Sequence, residues 1–178
     1  NEALTTRGQT PRYTQEDIDM TRSGADPYLY PNIDWMDILF KNFGQNRTAN
    51  ANISGGSDKA VYYVGLSYYG EDGLYKVDRR HDYNANTSYA RYSVTSNLTL
   101  KPHKTTEIKL GIQGYLANAN YPAASNSTIF GAAFATQPNY IFPVYPNGYI
   151  ADKPSGAVTN PHAILNEQGH ANQWSSQL

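Results

Sequence analysis

Four histidines are the side chains of this sequence best suited to metal binding or acid–base chemistry. They stand far apart, at His81, His103, His162 and His170. Protein zinc sites draw their ligands from short, paired spacings, and none of the four has such a partner. We therefore expect loop or turn positions for all four, with no metal site and no cofactor.

Acidic and nucleophilic residues are equally scattered. The pair Asp17 and Asp19 and the group Asp72, Asp78 and Asp82 do not follow the twelve-residue calcium-loop pattern, so solvated charges are the better interpretation. No phosphate loop, nucleophile elbow or paired-carboxylate motif occurs. The lack of cysteine excludes a thiolate zinc site and a cysteine nucleophile. The sequence predicts no catalytic residue and a protein that is not an enzyme.

Aromatic side chains are the better candidates for binding. They make up 13% of the chain, and two groups of them stand in regions without regular periodicity. Aromatic rings stack on sugar faces and also dock partner proteins, because they bury a large area at low entropic cost. Packing between loops is the alternative role. The candidate ligand- or partner-binding residues are Tyr28, Tyr30, Trp35, Tyr140, Phe142, Tyr145 and Tyr149.

Composition narrows the elements that can position these rings. Charged residues are 16% of the chain, below the roughly 25% of ordinary soluble domains. The net charge of −1 provides no basic surface for nucleic acid. No run of about 18 apolar residues occurs, so no transmembrane helix is predicted. A polar, weakly charged chain fits β structure that is wet on one face.

Alternation with a period of two predicts two β-hairpins. The first covers 47–69 with a tight turn at 55–58, and the second covers 91–116 with a turn at 101–104, where Pro102 ends the strand. The predicted strands are about eight to eleven residues long. One face of them is apolar, formed by Tyr62, Val64, Leu66, Tyr68, Tyr92, Val94, Leu98, Leu100, Ile108, Leu110, Ile112 and Leu116.

Helices and long loops fill the remainder. Thr14 is a candidate N-cap with Asp17 as its capping-box partner, and Gly24 is a stop signal, so a short helix is predicted between them. Residues 34–43 can form one or two further helical turns. The proline- and aromatic-rich region 121–161 predicts a long structured loop.

Alternation by itself fits a soluble sandwich as well as a membrane barrel. Loop lengths favour the barrel, because two links are a few residues and two are about twenty or more, as in outer-membrane barrels. Tyr62, Tyr68 and Tyr92 also stand where an aromatic girdle would lie. Four or five strands cannot close a barrel, and an open edge does not survive in lipid. We therefore expect both chain ends to be cuts within a longer protein.

Six segments, in order and spacing, resemble the SusC/RagA-like branch of TonB-dependent outer-membrane transporters. The resemblance covers the chain from about residue 12, and its segments are 26–40 (DPYLYPNIDWMDILF), 52–59 (NISGGSDK), 62–76 (YYVGLSYYGEDGLYK), 90–97 (ARYSVTSN), 136–148 (TQPNYIFPVYPNG) and 160–169 (NPHAILNEQG). It implies an all-β fold: an antiparallel transmembrane β-barrel of 22 strands with a plug, of which this chain holds early strands and a short N-terminal helix.

The resemblance also implies a function and partners. These are import of oligosaccharides or peptides across the outer membrane of a Gram-negative bacterium, a SusD-like surface lipoprotein, and energy from TonB through a region absent from this chain. The apolar strand face would contact outer-membrane lipid. The implied organisation is 1–45 loop, 47–69 hairpin, 70–90 loop, 91–116 hairpin, 117–165 long loop and 166–178 the next element, and the three loops would be extracellular.

Two other functions stay open at this point. A soluble or surface-exposed β domain could bind carbohydrate through the same aromatic loops. A secreted β-fold hydrolase is a weaker third alternative. Expressed alone, the transporter segment should be poorly soluble without detergent, whereas the soluble domain should melt cooperatively in buffer.

Overall fold

A computed structural model describes residues 1–151 and 160–178. The chain is mostly antiparallel β-sheet with a few helices, and it divides into two compact units. The helical unit comprises Asn1–Phe40 and Ala124–Gln168, and the sheet unit comprises Lys41–Ala123 and Gly169–Leu178. Among the described residues, none of the helices has the length and apolar character to cross a membrane.

The sheet unit holds five strands in the order of the chain. Each strand pairs antiparallel with its sequence neighbour, so the sheet is a meander without crossovers. The antiparallel sheet predicted from alternation is thus confirmed. The strands are β1 (Gln45–Ser57), β2 (Ala60–Asp72), β3 (Ser88–His103), β4 (Thr106–Pro122) and β5 (His170–Gln177).

The first four strands are longer than alternation predicts, at 13 to 17 residues. The backbone ladder continues where both faces turn polar, so that Asp72 still pairs with Gln45 on one side and Ser88 on the other. Alternation of apolar and polar residues reveals only the part of a strand that has one apolar face. The polar ends of the strands therefore could not be predicted from it.

Both predicted turns lie later in the chain than expected. Gly55 and Gly56 belong to β1, and the first turn is at residues 58–59. A Cβ on Gly55 would lie 2.8 Å from the Tyr62 hydroxyl, so the glycine makes room for a ring that crosses from β2. Pro102 does not end β3, because a register irregularity between Leu100 and His103 accommodates the residue that cannot donate to the ladder.

In its described residues, the helical unit contains five short helices. The second confirms its prediction: Thr14 Oγ1 accepts from the Asp17 N–H, Asp17 accepts from the Thr14 N–H, and Gly24 ends the helix at φ 65°. The helices are α1 (Glu2–Thr6), α2 (Gln15–Ser23), α3 (Trp35–Leu39), α4 (Asn126–Ala135) and α5 (Pro161–Asn166).

Helix α4 lies where a loop was predicted. Ser125 caps it by accepting from the Thr128 N–H, but apolar residues occur on all its sides, so the sequence has no helical period there. Its Ile129 is fully buried with Leu39 of α3 and Leu165 of α5, and the three helices form the core of this unit. Residues 152–159 of the predicted loop lie outside the described residues.

Candidate functional site

The twelve predicted membrane-facing residues share one face of the sheet. Directly paired residues of an antiparallel sheet point to the same side. Tyr62 pairs with Leu98, which pairs with Leu110, and Tyr68 pairs with Tyr92 at a ring distance of 5.0 Å. The other members occupy the same face: Val64, Leu66, Val94, Leu100, Ile108, Ile112 and Leu116.

This apolar face is exposed in the structure. Leu66, Leu110 and Leu116 are each 57% exposed, well above what a buried sheet face would show. The register adds two residues that the sequence did not single out, since Ile53 pairs with Val64 and Trp174 of β5 pairs with Asn118. A continuous apolar surface of this kind is covered by lipid or by protein in its working state.

The opposite face of the sheet is polar and internally paired. The Arg91 guanidinium lies 4.1 Å from the centre of the Tyr115 ring. The Glu107 carboxylate forms an ion pair with the Lys109 ammonium at 2.8 Å and lies 3.6 Å from the Lys101 ammonium. Such a face is suited to water rather than to hydrocarbon.

Three of the predicted binding rings meet in the helical unit. The Tyr28 ring lies 4.8 Å from Phe142, edge-on, and 5.7 Å from Tyr145, while Phe142 and Tyr145 are 5.6 Å apart. Asp26 positions Tyr28 by accepting its N–H at 3.1 Å. We call Tyr28, Phe142 and Tyr145 the aromatic cluster; Tyr28 keeps 43% of its surface exposed.

The other four predicted rings lie elsewhere. Trp35 is 3% exposed, because it and Leu39 lie one turn apart on the inward side of α3, so its ring packs in the core. Tyr30 and Tyr140 are half-buried, and Tyr149 is 75% exposed. The sequence did not indicate a second ladder of rings, formed by Phe40, Phe130 and Phe134.

The loop between β2 and β3 is held by two buried asparagines. Asn86 accepts the Tyr75 N–H at 3.1 Å and donates to the Gly73 carbonyl at 3.2 Å. Asn120 of β4 donates to the carbonyls of Asn84 and Asn86, both at 2.7 Å. These hydrogen bonds hold the backbone of the loop in one conformation. Burial also raises the pKa of the Tyr75 hydroxyl above its ordinary value.

The histidines fall in different surroundings. His81, Tyr83 and His170 form a stack with ring distances of 5.0 and 5.5 Å, whereas His103 contacts Thr105 of the turn that follows β3. Three of the four differ from the predicted loop or turn position, since His103 ends β3, His170 begins β5 and His162 is buried in α5. In the described parts of the chain, no group of three or more histidines and acids could hold a metal ion.

A cavity of about 560 Å³ opens beside this stack, within the sheet unit. Its lining includes Lys41, Arg79 and Asp78 together with Tyr75 and His81. Asp78 Oδ2 lies 2.7 Å from Arg80 Nη2. We call this the loop cavity; it belongs to no motif that the sequence displays.

Comparison with known proteins gives three similar chains. No family model matches. TonB-dependent receptor P26 of Formosa agariphila is 30% identical over 123 residues, 67% of this chain and 10% of that protein. TonB-dependent receptor P3 of the same organism is 22% identical over 143 residues, 76% of this chain and 13% of that protein. This chain thus spans about a tenth of the length of these curated relatives.

The third similarity is structural. A chain in the structure of the RagAB peptide importer in its closed-closed state matches 86% of this chain with a TM-score of 0.52, at 21% sequence identity. The match covers 19% of that chain. At this identity it supports the fold and not a shared substrate.

Proposed function

Because the chain belongs to the TonB-dependent receptors, we propose that it is a SusC/RagA-like member of that family and forms part of the wall and loops of a plugged, 22-stranded transporter barrel in the outer membrane. It would carry no catalytic site. The hairpins predicted over 47–69 and 91–116 would be two strand pairs of the barrel wall, β1–β2 and β3–β4, with the longer bounds that the structure gives them. The predicted loops 1–45, 70–90 and 117–165, without the strand ends that the structure adds, would be extracellular, and 166–178 would begin the next element.

The exposed apolar face carries this proposal. Its twelve predicted residues lie on one side of an open sheet, with Ile53 and Trp174 extending the surface to both outer strands. Strands of 13 to 17 residues are long enough to cross a bilayer at a tilt and project beyond it. The polar face then lines the lumen, where Arg91 and Glu107 can be hydrated.

Substrate and partners follow from the same proposal. The whole receptor would import an oligosaccharide or a peptide, with TonB acting through a region outside this chain. A SusD-like surface lipoprotein would cover the extracellular side. The aromatic cluster, with exposed Tyr149 and half-buried Tyr30 and Tyr140, would contact the substrate or that lipoprotein. Trp35 supports these loops from the core.

One pair of substitutions in adjacent residues tests the membrane-facing assignment. Ile112→Lys puts an ammonium on the apolar face, and Gln113→Lys puts it on the polar face of the same strand. A lysine facing lipid near the membrane centre costs about 2–4 kcal/mol, whereas a lumen position tolerates it. We expect Ile112→Lys to reduce the amount of full-length receptor in outer-membrane fractions several-fold and Gln113→Lys to leave it unchanged. Equal effects of the two substitutions would contradict the proposal.

A further inference from the structure

Two cations that form no ion pair with another described residue line the loop cavity. Within the described residues Arg79 forms no ion pair, and the Lys41 ammonium makes only a long 3.4 Å bond to the Gly73 carbonyl. The acid in the lining, Asp78, already pairs with Arg80, which does not line the cavity. The cavity therefore carries positive charge that its own walls do not neutralise.

The cavity is also preformed. Its volume of about 560 Å³ is within the range of small-molecule sites. The Asn86 amide fixes the backbone at Tyr75 and Gly73, and the ring stack of His81, Tyr83 and His170 forms a stiff wall beside it. A ligand would not have to order this loop, so little binding energy would be lost in closing it.

We propose that the loop cavity binds the carboxylate of an acidic sugar, held between the Lys41 ammonium and the Arg79 guanidinium. Guanidinium and ammonium groups are strong donors to carboxylates, and arginine can bind one through two bonds. Val77 is the aliphatic side chain of a lining otherwise made of charged, amide and aromatic groups. That surface suits a hydroxyl-rich ring better than apolar peptide side chains.

This inference rests on the proposed import function and names the substrate class of one of its surfaces. Calorimetry on the full-length receptor in detergent tests it, with digalacturonate, neutral galactobiose and a dipeptide as probes. We expect binding of digalacturonate in preference to the other two, with an affinity that falls as salt rises. Arg79→Gln and Lys41→Gln should each weaken that binding about tenfold, the effect of losing one charge-assisted hydrogen bond.

Lys104→Gln is the matched control, because Lys104 is an exposed turn lysine that makes no ion pair among the described residues and does not line the loop cavity. It should leave digalacturonate binding unchanged. Equal binding of both disaccharides, preferential binding of the dipeptide, or unchanged affinity in both cavity variants would overturn the inference. Failure to bind digalacturonate, in a receptor that still responds to Ile112→Lys and not to Gln113→Lys, would leave the proposed function standing.

Discussion

Gly73 lies where two backbone segments of the loop between β2 and β3 come into close contact. Its N–H donates to the Thr87 carbonyl at 2.6 Å. A Cβ built there would lie 2.7 Å from that carbonyl oxygen and 3.0 Å from Asn86 Oδ1. Both atoms already take part in the hydrogen bonds that close the loop, so neither can move away without loss.

Gly73→Ala should therefore open this loop. We expect a loss of stability on the order of 1–3 kcal/mol, and faster amide hydrogen exchange at Tyr75, whose N–H is held by Asn86. Gly131→Ala is the control, because nothing lies within 4 Å of its Cβ position in α4. It should stabilise the helix by roughly 0.5–1 kcal/mol. Unchanged exchange at Tyr75 in Gly73→Ala would contradict the role assigned to the glycine.

At the scale of single elements, helix α2 shows that a helix can be predicted when the residues that start and end it are close together in the sequence. Its start, capping box and glycine stop lie within eleven residues, and the structure has them where the sequence predicts. The Asp17 carboxylate accepts a hydrogen bond from the Thr14 N–H, and this bond, together with the one to the Thr14 hydroxyl, holds the pKa of Asp17 below its ordinary value. The ionised carboxylate therefore stabilises the start of α2 at neutral pH.

That stabilisation is present above the ordinary carboxyl pKa of 3.8 and is lost as pH falls through the lowered folded pKa of Asp17. We expect the protection of the first-turn amides of α2 against hydrogen exchange, taken relative to the intrinsic rate at each pH, to fall below about pH 3.8. In Asp17→Ala that protection should be low at every pH. Asp19→Ala keeps the capping box and should keep the pH dependence; loss of the dependence there would refute this assignment.

Other elements could not be predicted because their signals are not local. Helix α4 lacks an apolar stripe, and it is specified by packing of Ile129 against α3 and α5, which are distant in sequence. The loop cavity brings together Lys41 and Arg79, which are distant in sequence. Hydrogen bonds from the Asn86 and Asn120 side chains to the backbone hold the loop in this arrangement. By contrast, the apolar face follows directly from side-chain alternation, which fixes which residues share a side.

At the scale of the whole chain, the sheet ends at β1 and β5, and its apolar face is exposed. Both features favour association in water, because an unpaired edge recruits other strands and apolar area avoids solvent. Residues 1–178 expressed alone should therefore aggregate in plain buffer and become dispersed in detergent. Size-exclusion chromatography checks this. A monomeric species with a cooperative melt in buffer would favour a soluble β domain that binds carbohydrate.

The meander has a consequence for how such a wall can change over time. Each strand depends only on its immediate neighbours for backbone bonds, and the five described strands pair in chain order. A hairpin such as β2–β3 could be duplicated or lost as one genetic unit, and the flanking strands would meet in the same up-and-down alternation. In the proposed barrel, the circumference would then change by two strands at a time while the order of strand pairing stayed the same.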